Sequence, residues 1–139
     1  MKSKNLVLAL ILATFSAWGQ AGELPPEVLA KFVKLLSSSA NSAGKVACKD
    51  GTMAGELAKL GINADGSSKV AWAASEGEVR SLKAAGKLVL CGKLEWLPAG
   101  GAIAIVEEGG KPQIYLHMGN IAASGVSLSD TILKIGKKL

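Results

Sequence analysis

The sequence feature that most constrains the fold is a pair of apolar runs near the end of the chain. The first run, residues 102–106, is rich in β-branched residues, and the second spans residues 113–117. Residues 107–111, which include Gly109 and Gly110, separate the two runs. Because glycine supplies the positive φ of tight hairpin turns, this pattern predicts two antiparallel strands joined as a β-hairpin.

Two short helices are predicted after the hairpin. Met118, Ile121 and Ala122 lie three and four residues apart, and Gly125 provides a stop signal. A last helix is predicted from about Ser129, with three lysines in its final turns, where cations suit the negative end of the helix dipole. Those lysines are Lys134, Lys137 and Lys138.

The middle of the chain alternates between strand-like and helix-like patterns. A helix is predicted over residues 24–36, and strands are predicted at residues 45–48, 69–73 and 87–91 with helices between them. A strand–helix–strand order with short loops is typical of parallel βαβ units. The sequence therefore predicts an α/β fold: a single three-layer domain with a mixed, mostly parallel sheet of about five strands, helices on both faces and a C-terminal antiparallel hairpin.

The first 21 residues have the order of a secretory signal peptide. Lys2 and Lys4 precede an apolar run, and Gly19-Gln20-Ala21 offers small residues at the two positions that matter for cleavage. The alternative is a membrane anchor, but an apolar run of about 13 residues is shorter than the roughly 20 that span a bilayer. We predict that residues 1–21 are a signal peptide and that residues 22–139 form an exported, periplasmic domain without stable membrane insertion.

Charge gives little indication of a partner. The formal net charge is +5, and loss of Lys2 and Lys4 would leave roughly +3 after cleavage. The remaining charges are dispersed, with both signs present, and no basic stripe with interleaved aromatic residues is visible. A nucleic-acid partner is therefore not predicted.

Cys48 and Cys91 each fall at the end of a predicted strand. An exported protein with an even cysteine count is the usual context for a disulfide. However, the strand that contains Trp72 lies between them in sequence, and Cα atoms more than about 7 Å apart cannot be bridged. Three alternatives remain open: a disulfide, two separate buried thiols, and a metal or redox role.

Two further sets of residues are candidates for binding. Leu94, Trp96 and Leu97 are clustered apolar residues on a predicted loop, and such clusters mark partner surfaces, although simple packing of the loop onto the sheet is the alternative. Open α/β sheets also bind small molecules beyond the carboxyl ends of their strands. That edge predicts a ligand cleft at Lys49, Asp50, Ala74 and Gly92.

No catalytic residues, metal ligands or cofactors are predicted. Glu107 and Glu108 are adjacent on a strand and point to opposite faces, so they cannot flank one substrate. His117 is the only histidine; it is either a helix cap or a pH-sensitive group. One histidine and two distant cysteines are too few for a structural zinc site.

Several segments resemble the YfiR family of small periplasmic proteins, which includes the HmsC-like group. The resemblance lies mainly in Gly100-Gly101 with the strand that follows, in the end of the second hairpin strand, and in Gly125 and Ser129. The second hairpin strand ends at His117, where the family usually has asparagine. It implies a periplasmic repressor that holds the sensor domain of an inner-membrane diguanylate cyclase inactive until redox or envelope stress releases it. Such a repressor is not an enzyme.

Two function hypotheses follow. The first is the exported regulatory protein that the resemblance implies, with an inner-membrane sensor protein as its partner and a homodimer left open. The second is a periplasmic small-molecule-binding protein that uses the cleft at the carboxyl ends of the strands.

Overall fold

A computed structural model describes residues 22–42 and 44–139, so the predicted signal peptide lies outside the described residues. Within these ranges the strands are β1 (Lys45–Cys48), β2 (Asn63–Ala64), β3 (Val70–Trp72), β4 (Leu88–Cys91), β5 (Ile103–Glu108), β6 (Lys111–Leu116) and β7 (Lys137–Lys138). The helices are α1 (Pro26–Ser39), α2 (Gly51–Lys59), α3 (Glu76–Ala84), α4 (Met118–Ser124) and α5 (Asp130–Ile135), and a 3₁₀ turn spans Leu94–Trp96. None of the helices in the described part of the chain is long and apolar enough to cross a bilayer.

All seven strands of the described residues form one mixed sheet in the order β2-β1-β3-β4-β5-β6-β7. Every neighbouring pair is parallel except β5 and β6, which form the antiparallel hairpin. Helices pack on both faces, so the predicted three-layer α/β architecture is confirmed. The prediction of about five strands matches the longer ones, and β2 and β7, with two residues each, are additional edge strands.

The hairpin has the turn that its glycines predict. Gly109 and Gly110 have φ angles of 60° and 79°, which is the positive pair that a two-residue type I′ turn requires. The strands extend closer to this turn than predicted, because Glu107 pairs with Pro112 and Glu108 pairs with Lys111.

Alternate residues of the strands feed two separate apolar clusters, one on each face of the sheet. The larger cluster lies against α1, α2, α4 and α5 and contains buried residues such as Leu36, Leu57, Leu90 and Ile132. The smaller cluster lies under α3 and the segment 93–99. Its buried members are Ala73, Val79, Val89, Cys91, Leu97, Ala104 and Val106.

Side-chain caps set the starts of three helices. The Ser75 hydroxyl accepts the backbone N–H of Glu78, and the Ser129 hydroxyl accepts that of Ile132. His117 caps α4, because its Nδ1 accepts the Asn120 N–H at 3.0 Å. Gly125 ends α4 in the left-handed conformation at φ 72°.

The C-terminal segment differs from the prediction. Helix α5 ends at Ile135, and Lys137 and Lys138 form β7 instead of continuing the helix. Gly136 explains the change, because it is extended and lies so close to β6 that a Cβ there would be 2.6 Å from Leu116 Cγ. Only glycine permits this close approach of the backbone.

Gly100 and Gly101 lie in the turn before β5, where close packing requires the absence of a side chain. A Cβ on Gly100, at φ 133°, would be 2.8 Å from Lys83 Cβ, and one on Gly101 would be 3.1 Å from Cys91 Sγ. Asn120, which the sequence analysis did not single out, holds this turn. Its amide nitrogen donates to the carbonyl oxygens of Leu97 at 3.0 Å and Gly101 at 2.9 Å.

Candidate functional site

An open cavity of about 750 Å³ lies between α3 and the β1–β2 side of the sheet, and we call it the α3 groove. Its size falls within the range of about 300–1,000 Å³ typical of small-molecule sites. Its lining residues are Ala47, Cys48, Lys49, Ala64, Gly66, Trp72, Ser75, Gly77, Glu78, Ser81, Leu82, Ala85 and Lys87.

The groove exists because the smaller face of the sheet is only partly covered. The buried residues on that face come from α3, the segment 93–99 and strands β3, β4 and β5. Strands β1 and β2 contribute none to this cluster, and they present the small side chains of Ala47 and Ala64 to the groove. Small side chains at these positions leave open space that larger apolar residues would fill.

Helix α3 forms one wall of the groove. Glu78, Ser81, Leu82 and Ala85 are three and four residues apart, so they share one face of the helix. This wall is mixed in character, with a hydroxyl and a carboxylate beside the half-buried Leu82. One carboxylate oxygen of Glu78 accepts the backbone N–H of Ala74 at 2.8 Å, which ties the start of α3 to the end of β3.

Two lysines line the groove without a carboxylate partner. Neither Lys49 nor Lys87 has an ion pair within 4.0 Å among the described residues. Lys87 is half-buried, and its ammonium donates to the carbonyl oxygens of Gly66 at 2.9 Å and Ser68 at 2.6 Å. With Glu78 as the carboxylate in the lining, the formal charge of the groove is +1.

Trp72 lies at the border between the groove and the larger apolar cluster. It is 5% exposed, and among the described residues its indole Nε1 is the one buried side-chain nitrogen or oxygen without a hydrogen-bond partner. A buried N–H without a partner is unfavourable by about 1–3 kcal/mol. Because it is almost completely buried in the larger cluster, Trp72 exposes only a small part of its apolar surface to the groove.

The ligand cleft predicted at the carboxyl ends of the strands coincides with the groove only in part. Lys49 lines it. Asp50 instead caps α2 by accepting the Thr52 N–H at 3.2 Å, and Ala74 is held by Glu78 without lining the groove. Gly92 lies against Trp72 and Leu29 on the other side. The prediction missed the α3 wall, whose signal was the mixture of small and polar residues on one helical face.

Of the three alternatives for the cysteines, the disulfide is not formed, because both Cys48 and Cys91 are free thiols. Strand β3 lies between β1 and β4, which puts their strands two spacings, or about 9.5 Å, apart. The two residues also pack into different apolar clusters on opposite faces of the sheet. The alternative of two separate thiols describes the structure.

Both thiols are held in their protonated form. Burial raises the pKa of Cys91 to about 11, and its thiol donates to the Lys93 carbonyl oxygen at 3.5 Å. Burial likewise raises the pKa of the partly exposed Cys48, whose thiol donates to the Asp50 carbonyl oxygen at 3.4 Å. Because the thiolate is the reactive species, neither environment activates the sulfur.

The predicted partner surface is largely buried by its own chain. Leu97 is 1% exposed within the smaller cluster, so its proposed role as a surface anchor is wrong. Leu94 and Trp96 are half-buried against the same cluster, and the Lys93 ammonium lies 5.2 Å from the centre of the Trp96 ring. The alternative, packing of this loop onto the sheet, describes these contacts.

Carboxylates and hydroxyls elsewhere serve structural roles. Glu108 bonds to the Tyr115 hydroxyl and to Lys137, while Glu107 is exposed, so the two glutamates do not share a site. Within residues 22–42 and 44–139, no three His, Cys, Asp or Glu side chains lie close enough together to hold a metal ion.

The comparisons with known proteins do not assign the chain to a family. No model of a known protein family matches it, and no curated protein matches it. The resemblance to the YfiR family therefore stays a prediction, and the function is argued from the fold and the groove.

Proposed function

We propose that this protein is a non-enzymatic small-molecule-binding protein whose ligand occupies the α3 groove. The observation that carries the proposal is the cavity of about 750 Å³ between α3 and the partly covered strands β1 and β2. It combines apolar surface from Trp72 and Leu82 with polar groups from Ser75, Glu78 and Lys87. Binding pockets typically combine apolar walls with a few convergent polar groups in this way.

The arrangement favours binding over catalysis. Two polar groups of the groove take part in structural contacts: one carboxylate oxygen of Glu78 accepts the Ala74 N–H, and the Cys48 thiol donates to a carbonyl oxygen. The groove contains no histidine, and its thiol has a raised pKa because of burial. Among the described residues, no side-chain hydrogen bond joins a hydroxyl or thiol of the lining to a carboxylate that could act as its base.

The proposal is tested by blocking the groove. Ser81→Trp places a large ring on the groove wall, whereas Ala84→Trp, on the same helix and also exposed, lies outside the lining. Small amphipathic molecules are screened by thermal unfolding of the mature chain and of both variants. A ligand at 100 times its Kd stabilises by about 2.7 kcal/mol, which corresponds to a shift of several degrees in Tm.

The proposal predicts that ligands raise the Tm of the unsubstituted chain and of Ala84→Trp, but not that of Ser81→Trp. Ligands that act equally on all three proteins would place the binding site elsewhere. A broad screen without a single ligand would remove the support for a binding function.

The regulatory role implied by the YfiR resemblance is a second proposal, and one observation favours it. Ile135 and Leu139 are 51% and 64% exposed and flank β7, which is an edge strand of the sheet. Edge strands with exposed apolar neighbours are competent to pair with another chain. The partner would be the periplasmic domain of an inner-membrane sensor protein.

A direct binding measurement tests this second proposal. The mature chain is mixed with the purified periplasmic domain of an inner-membrane diguanylate cyclase, and complex formation is followed by analytical ultracentrifugation. Ile135→Asp is expected to abolish the complex, and Leu35→Asp, at the similarly exposed Leu35 on α1, is the matched control. Absence of a complex, or equal loss in both variants, would contradict a partner site at β7.

A further inference from the structure

The two ends of the α3 groove differ in their charged groups. Lys87 directly precedes β4, so it lies at the amino ends of the parallel strands together with Gly66. Lys49 directly follows β1 and lies at the opposite edge, near Ser75 and Glu78 at the start of α3. One end of the groove therefore carries a cation without a carboxylate in the lining, and the other end carries a mixed set of polar groups.

The apolar part of the groove lies between these ends. The α3 wall runs from Gly77 to Ala85, which at about 1.5 Å per residue is a distance of roughly 12 Å. Leu82 on this wall and Ala47 on the sheet provide apolar surface along that length. A ligand that follows the wall is therefore elongated and has an apolar body.

The Lys87 ammonium has one N–H donor left for a further hydrogen-bond acceptor. An ammonium group has three donors, and two of them reach the carbonyl oxygens of Gly66 and Ser68. These carbonyl groups are neutral, so they orient the side chain and leave its positive charge uncompensated. One donor and one full charge remain for a ligand.

On the basis of the function proposed above, we propose that the α3 groove binds a small monocarboxylate with an apolar body, held by its carboxylate at Lys87 and by its body along α3. One remaining donor with one positive charge matches a singly charged carboxylate, and the apolar lining along α3 suits an apolar body behind it. At the other end Glu78 and Lys49 carry opposite charges, so that end has no net charge to attract a second anionic group. The ligand therefore has one anionic end.

The test compares two probes that share one chain and differ in the head group. Decanoate and decanol are titrated into the mature protein, and their Kd values are measured by calorimetry. The charged hydrogen bond is expected to make decanoate bind roughly ten-fold more tightly than decanol. This comparison uses the unsubstituted chain, so it does not depend on the folding of any variant.

Two lysine variants then locate the charge. Lys87→Gln is expected to remove the ten-fold preference for decanoate over decanol. Lys111→Gln is the matched control, because Lys111 is an exposed lysine on the hairpin and is remote from the groove. It is expected to keep the ten-fold preference.

The possible results separate this inference from the proposed function. Equal Kd values for the two probes, both weakened by Ser81→Trp, would overturn the carboxylate inference and leave the groove as the binding site. A preference for decanoate that survives in Lys87→Gln would also overturn the inference. No binding of either probe would overturn it as well, whereas the groove itself is judged by the ligand screen with Ser81→Trp and Ala84→Trp.

Discussion

The protonated state of Cys91 gives the sharpest quantitative prediction. At pH 8 a thiol with a pKa of about 11 is roughly 0.1% thiolate, whereas an ordinary thiol with a pKa of about 8.5 is roughly 24% thiolate. Titration alone therefore makes Cys91 about 240-fold less reactive than an unfolded cysteine. Its complete burial slows the reaction further, because the reagent must wait for the structure to open.

The assay is alkylation by iodoacetamide at pH 8, followed by intact mass. Cys48→Ser isolates Cys91, and Cys91→Ser isolates the partly exposed Cys48. Each variant is measured folded and in guanidinium chloride, so that the denatured rate of the same cysteine is the reference. We expect a folded rate for Cys91 at least about 200-fold below its denatured rate, and a faster folded rate for Cys48.

A folded rate for Cys91 within ten-fold of its denatured rate would refute the reasoning from burial. Treatment of the unsubstituted chain with diamide is a second check on the geometry. Because the two strands are too far apart, we expect no intramolecular disulfide, and therefore no decrease in intact mass by two hydrogens. An intramolecular Cys48–Cys91 crosslink would show that the strands are not arranged as described.

Three further predictions concern local contacts. His117→Ala removes the cap of α4 and should lower the free energy of unfolding by about 1 kcal/mol in a urea titration, with His117→Asn restoring most of it. Gly101→Ala should lower the free energy of unfolding by about 1–3 kcal/mol, because the added Cβ would be too close to its neighbours. Gly55→Ala, in α2 with open space around it, should raise the free energy of unfolding by about 0.5–1 kcal/mol. Equal effects of the two substitutions would contradict the packing described. The bond to Glu108 raises the pKa of Tyr115, the only tyrosine, so Glu108→Gln should shift its absorbance titration to lower pH. In the unsubstituted chain the folded state keeps the Tyr115 proton to a higher pH than the unfolded state, so the contact's contribution to stability is lost as the pH rises through the folded pKa. A titration curve that Glu108→Gln does not shift would contradict the contact.

The sequence predicts the fold well where a local rule decides the structure. Gly109-Gly110 define a turn that few other residues can form, and Ser75 and Ser129 mark helix starts through hydrogen bonds made within three residues. The two-residue strands β2 and β7 were missed, because such short exposed segments have no periodicity. Lys137 and Lys138 fit a helix end by charge alone, and the close approach of Gly136 to β6 is a tertiary effect.

The candidate site was harder to predict because it depends on which part of a face stays uncovered. The expectation that ligands bind at the carboxyl ends of the strands identified Lys49. The α3 wall borders a groove because, in the described part of the chain, no helix covers β1 and β2 on that face. For a similar reason, the sequence alone could not decide between a disulfide and two separate thiols. Cys48 and Cys91 are kept apart by the order of the strands and by side chains that point to opposite faces of the sheet. Neither the strand order nor the side-chain direction can be read from the spacing of the two cysteines along the chain.

Successive side chains of β1 point to opposite faces of the sheet, so residues that line the groove are separate from residues that form the larger core. Val46 is completely buried in the larger core, while its neighbour Ala47 lines the α3 groove. Substitutions at the exposed Ala64 on the neighbouring strand can therefore change the shape of the groove without repacking the core, whereas Ala47 is only 6% exposed and leaves less room for change. Ligand preference in this fold can diversify through single small side chains, with each change isolated from the residues that hold the domain together.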